Sequence, residues 1–179
     1  IDKNTDSLNF LNQNQDNNDN KIKPDITTFT TLIDAFSKSG DILNAEKYFD
    51  KIEQNQVHPE RIAYSAVLKA CAKSGDTLKA VNWFHKMQFA RITPEIQQFN
   101  HVIQAHTEAA NAEGAHVWLN KMKSFKLTPG LISFNQVLNS YSQSKQPSKA
   151  VEIFEKLEKN NLVPDSITYG SVINAFSQV

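Results

Sequence analysis

The stretch KPDITTFTTLIDAFS at residues 23–37 returns, little altered, as VPDSITYGSVINAFS at 163–177. The interval between the two copies is filled by prolines at 24, 59, 94, 129 and 164, in steps of 35 residues. Of the chain's six prolines only Pro147 lies outside the series. Self-similarity at a fixed period of this length marks stacked repeats, each too small to bury its apolar face alone.

Within a unit the apolar residues follow helical spacing. Phe29, Leu32, Ile33 and Phe36 stand at i, i+3, i+4 and i+7, one stripe of an α-helix. The same slots hold Tyr64, Val67, Leu68 and Cys71, then Phe99, Val102, Ile103 and His106, then Phe134, Val137, Leu138 and Tyr141, then Tyr169, Val172, Ile173 and Phe176. A second stripe follows, headed by Ala45, Ala80, Ala115 and Ala150, whose small side chains predict a recurring close approach of helices. Each unit is therefore read as two helices, and the chain as all-α.

The turn between them is KSGD at 38–41 and 73–76, where Gly40 and Gly75 suit the left-handed conformation that ends a helix. Units three and four have Ala110 and Lys145 there and need another solution, with Pro147 suited to open the following helix. The repeated proline is expected to stop the second helix, and the residue after it, Asp25 or Asp165, to cap the next. The divisions are 26–60, 61–95, 96–130, 131–165 and a single helix at 166–179. Residues 1–25, with LNQNQDNNDN at 11–20, read as a linker or the end of a preceding repeat.

Composition excludes more than it identifies. Lys plus Arg and Asp plus Glu both number 19, so the strong net positive charge of many nucleic-acid binders is missing. Residues 1–25 hold three basic and five acidic groups, leaving 16 basic and 14 acidic in the repeats. Cys71 is alone and cannot form an intrachain disulfide, and the apolar runs are too short to span a bilayer.

A 35-residue helical hairpin with an aromatic five residues after the proline, an LI or VL pair, a KSG turn, A-x-x-x-F in the second helix and a closing Pro-Asp resembles the pentatricopeptide repeat over 26–179. The tetratricopeptide repeat runs at 34 residues and expects a Trp and a Leu-Gly pair in its first helix, which are absent. The resemblance implies a right-handed α-solenoid of stacked hairpins that binds single-stranded RNA in a mitochondrion or plastid, one base per repeat.

It also implies residue roles. Bases are read by Thr30 with Glu60, Ser65 with Glu95, Asn100 with Gly130, and Asn135 with Asp165. Only the last pair is a standard combination, and it implies uridine; Thr30 and Ser65 imply purines and Asn100 a pyrimidine, while Glu60, Glu95 and Gly130 depart from the Asn or Asp of the pattern. Thr27, Ile62, Gln97, Ile132 and Ile167 fall in the slot that clamps base faces, although the isoleucines can equally pack on a neighbouring hairpin. Lys38 and Lys73 are placed to meet phosphate, whereas Glu108 and Gln143 hold the same slot later, so unit three is expected to bind RNA poorly.

The second class of function is a protein-binding scaffold within an organellar complex. An enzyme is not expected. His101 and His106 lie five apart, which suits paired metal ligation badly, and His106 holds a core slot. His116 and Glu113 have no evident third ligand. No metal, cofactor, small-molecule substrate or membrane association is expected.

Overall fold

The computed structural model describes residues 25–177. Apart from Asp25, the expectation for residues 1–25 lies outside the described residues. The described chain is helical throughout: α1 (Ile26–Ser39), α2 (Ile42–Gln54), α3 (Arg61–Ser74), α4 (Thr77–Phe89), α5 (Ile96–Glu108), α6 (Ala112–Lys121), α7 (Leu131–Gln143), α8 (Pro147–Lys159) and α9 (Ser166–Ser177). A 3-10 turn, Met122–Phe125, extends α6. The odd-numbered first helices pack side by side in one continuous row. Each second helix lies on its own first helix and on that of the next unit. The closely packed row is the inner one, so the polar stripe of the first helices lines the groove of an α-solenoid.

The apolar stripes of the first four units form one core, with Ile33, Leu68, Ile103 and Leu138 fully buried at one slot and Ala45, Ala80, Ala115 and Ala150 at another. Aromatic rings carry that core across unit boundaries. Phe49 meets Tyr64 at 4.7 Å and Trp83 at 4.6 Å, while Phe84 meets Phe99 at 4.8 Å and Trp118 at 4.9 Å, all edge to face. Each such pair adds about 1 kcal/mol beyond burial. The units are therefore coupled through neighbours. Tyr169, Ile173 and Phe176 hold the same slots but are more than half exposed, since no second helix of their unit is among the described residues.

The turn glycines behave as expected: Gly40 and Gly75 have φ of 76° and 71°. Ala110 and Lys145 adopt the same left-handed backbone at 53° and bear the strain of a side chain there. Pro147 is the first residue of α8. Asp25 accepts from Thr28 N at 2.8 Å and Asp165 from Thr168 N at 2.8 Å, capping α1 and α9.

The expectation that the closing proline stops the second helix is corrected. α2 ends at Gln54, α4 at Phe89 and α8 at Lys159, several residues short of Pro59, Pro94 and Pro164. Left-handed Gln56, Arg91, Lys126 and Asn161 turn the chain instead. In unit one Gln56 N then reaches Glu53 O at 3.0 Å and Val57 N reaches Ile52 O at 3.2 Å, the paired bonds that satisfy the last carbonyls. Val57, Ile92, Leu127 and Leu162 follow these turns and pack on the core.

Candidate functional site

The groove is built by periodicity: residues three or four apart on each first helix share its inner face, and stacking brings equivalent positions of successive units side by side. Ile62, Ile132 and Ile167 are 65%, 67% and 62% exposed there. Most of each isoleucine side chain therefore faces solvent. Thr27 and Gln97, in the same slot, are also exposed.

Of the four predicted reading pairs, one is joined by a hydrogen bond. Asn135 Nδ2 donates to Asp165 Oδ1 at 3.1 Å. The Thr168 backbone N–H holds the Asp165 carboxyl below the usual carboxylate range, with Asn135 adding to the effect. In unit three, Gly130 offers no side chain, and Asn100 Oδ1 accepts from Ser133 Oγ at 2.7 Å. In unit two, Glu95 pairs with the Arg61 guanidinium, and Ser65 is buried with its hydroxyl unpartnered. In unit one, the Thr30 hydroxyl turns back to the Ile26 carbonyl at 2.6 Å, and Glu60 leaves α3 without a side-chain cap.

Lys38 and Lys73 are not free cations. Lys38 Nζ lies 3.0 Å from Asp34 Oδ2, and the Lys73 ammonium donates to the Lys38 carbonyl. Asp34 also holds Lys69 Nζ at 3.0 Å. Partial burial opposes ionisation of Asp34, but its hydrogen bonds to Lys69 and Lys38 prevail and lower its pKa. Exposed ion pairs of this kind are worth little, so an incoming phosphate can draw the lysines away.

Thr30, Ile62, Ser65 and Gln97 from the predicted set line one cleft of about 200 Å³ spanning units one to three, together with Arg61, Lys69, Gln98 and His101. Arg61 Nε, Ser65 Oγ and His101 Nε2 reach no hydrogen-bond partner. Burial, then the charge of Lys69, pushes His101 down to about 4, so its imidazole is neutral at physiological pH. Such unpaired polar atoms are costly unless a ligand meets them.

Sequence reasoning missed Arg61, His101, Ser133 and Thr168 as groove residues, and missed that Lys69 pairs with Asp34. Lys69 stands one full repeat after Asp34, and that opposite-charge spacing was the available signal. His106 and His116 belong to the packing. His106 is buried with both ring nitrogens unpartnered, while His116 Nδ1 meets Tyr141 Oη at 2.9 Å and His116 Nε2 meets Lys156 Nζ at 3.2 Å. Burial pushes the lone Cys71 thiol up to about 12, leaving it unreactive. Among the described residues there is no group of three side chains suited to a metal, and no helix is long and apolar enough to cross a membrane.

No curated protein sequence matches the chain. Among solved structures, PPR10 in complex with an 18-nt psaJ RNA element is similar at TM-score 0.82 and 19% identity, over 97% of this chain and 25% of that one. The PPR domain of Arabidopsis thaliana protein-only RNase P 1 in complex with tRNA is similar at TM-score 0.71 and 20% identity, over 85% of this chain and 80% of that domain. The structure of the pentatricopeptide repeat protein PPR10 from maize gives 0.74 and 23%, over 96% and 24%. The chain thus spans about a quarter of PPR10, and at these identities the likeness is one of fold. The family model "Pentatricopeptide repeat domain" matches residues 14–74 and 82–144, "PPR repeat family" matches 129–178 and "PPR repeat" matches 62–92. With the repeat period, the paired helices and these matches in agreement, the chain belongs to the pentatricopeptide repeat family.

Proposed function

We propose that the inner groove binds single-stranded RNA, one base per repeat, and serves organellar RNA metabolism in a mitochondrion or plastid. The observation that carries the reading is the set of exposed isoleucines, Ile62, Ile132 and Ile167, standing between polar reading residues on the groove. A large aliphatic left in water on an otherwise polar face gains from a flat partner, and every nucleobase offers one. Similar folds are bound to RNA in the PPR10 and RNase P 1 structures. The organellar setting rests on family membership alone.

A protein occupant of the same groove is the second reading. On its side is Asp34, which sits between Lys38 and Lys69 and offsets their charge. The test is affinity for RNA with uridine facing unit four, against the Asn135→Ala variant. Loss of about 1–2 kcal/mol is expected when a reading hydrogen bond goes; unchanged affinity contradicts the assignment. This segment is proposed to do no chemistry, so RNA incubated with it and magnesium stays intact.

A further inference from the structure

Each asparagine in a reading position has a hydroxyl residue 33 positions later in sequence and in direct contact with it. Thr168 Oγ1 lies 2.7 Å from Asn135 Oδ1, and Ser133 Oγ lies 2.7 Å from Asn100 Oδ1. Both hydroxyl residues are fully buried. They come from the first turn of the next unit's first helix, so the contact is made only when two units stack.

An asparagine amide has a donor end and an acceptor end of nearly equal shape, and its neighbours decide which faces where. In unit four that decision is complete. Asp165, held ionised, can only accept, so Nδ2 must face Asp165 Oδ1 at 3.1 Å. This leaves Oδ1 toward Thr168, whose oxygen is already close to the Asp165 backbone N–H at 3.1 Å. The single Thr168 proton can point at Asn135 Oδ1 or at Asp165 Oδ1, 2.8 Å away. Pointing it at the carboxylate would set two bare oxygens face to face at 2.7 Å. The Thr168 hydroxyl therefore donates to Asn135 Oδ1, and the amide is locked. In unit three nothing acidic stands at Gly130, and the Ser133 hydroxyl can donate to Oδ1 or accept from a turned-over Nδ2.

We propose that Thr168 and Ser133 are positioning residues for base discrimination: Thr168 with Asp165 locks the Asn135 amide with its N–H available to a base, while Ser133 alone leaves the Asn100 amide able to turn over. The inference rests on the RNA reading given above. A fixed N–H favours a base that offers oxygen at its 4-position, as uracil does, over one that offers an amino group there, as cytosine does. A free amide accepts both.

The test compares single-stranded RNAs that differ only in uridine or cytidine opposite unit four or unit three, titrated into the chain. The expected ratio of affinities is about fivefold for uridine at unit four, the weight of one ordinary hydrogen bond, and near one at unit three. Thr168→Val removes the hydroxyl and is expected to bring the unit-four ratio near one; Thr168→Ser retains it. Loss of the helix cap alone weakens both RNAs alike and leaves the ratio standing. In the free protein, 15N NMR of the Asn135 side-chain amide is expected to show slow proton exchange that quickens in Thr168→Val. A ratio unchanged by valine overturns the inference while the RNA reading survives. Failure of the unaltered chain to bind RNA overturns that reading and the discrimination together, and the NMR comparison still decides whether Thr168 locks the amide.

Discussion

Gly114, in the first turn of α6, supplies a prediction in which two opposing effects can be weighed. Alanine is the better helix former by up to about 1 kcal/mol, so propensity alone makes Gly114→Ala stabilising. The structure opposes it: a Cβ at 114 falls 2.3 Å from His106 Nδ1, 2.7 Å from His106 Cε1 and 2.9 Å from Asn111 Cγ. The imidazole is buried and cannot move aside without displacing its neighbours. Overpacking of this kind costs about 1–3 kcal/mol, so the net effect is a loss of roughly 1–2 kcal/mol. In a His106→Ala background the two closest contacts vanish, and adding Gly114→Ala becomes neutral or slightly stabilising. Urea denaturation of the four proteins, with the slope checked for constancy, gives a coupling of about 1–2 kcal/mol. A coupling near zero refutes the packing of His106 against Gly114.

Stability also depends on pH in a direction fixed by the buried histidines. His101 is pushed from 6.5 to about 4 in the folded state, so the unfolded chain binds more protons between those values and stability rises as pH climbs from about 4 to 6.5. The contribution is on the order of 2 kcal/mol after allowance for partial exposure, and His106 and His116, lowered first by burial, act in the same sense. Melting temperatures are expected to climb across that window, less steeply in His101→Gln; an identical slope contradicts the burial of a neutral His101. At equivalent turn positions two substitutions should differ in sign: Gly40→Ala, with φ of 76° and no crowding atom within 3.4 Å, loses about 1 kcal/mol, and Ala110→Gly, with φ of 53°, gains up to about 0.5. Chemical denaturation of both reads the result directly.

The period was enough to place the helices, because hydrophobic spacing and burial are the same fact seen from two sides. Phe29, Tyr64, Phe99 and Phe134 occupy one slot and are all buried. Helix ends were harder to read. Proline was a visible punctuation mark, whereas the left-handed residues that turn the chain are Gln56, Arg91, Lys126 and Asn161, four types with no common chemistry. What forces them is the packing of Val57, Ile92, Leu127 and Leu162 onto the core.

The groove was legible as a stripe but not as a set of partners. Which side chain Glu95 meets depends on how adjacent units stack, and Arg61 one repeat earlier captures it. Lys38 was read as free for phosphate, yet Asp34, four residues before it on the same helix face, pairs with it. The hydroxyls of Ser133 and Thr168 lie two residues before the reading positions of their own units, yet they act on the asparagines of the units before.

The measurement that tests the account most directly is fluorescence anisotropy of the chain with labelled single-stranded RNA carrying purine, purine, pyrimidine and uridine in register with the four units, against a scrambled RNA and the matching DNA, at two salt concentrations. The account predicts preferential binding of the matched RNA, weakened by salt as the lysines release phosphate. Equal affinity for all three ligands, or none for any, would contradict a base-reading groove.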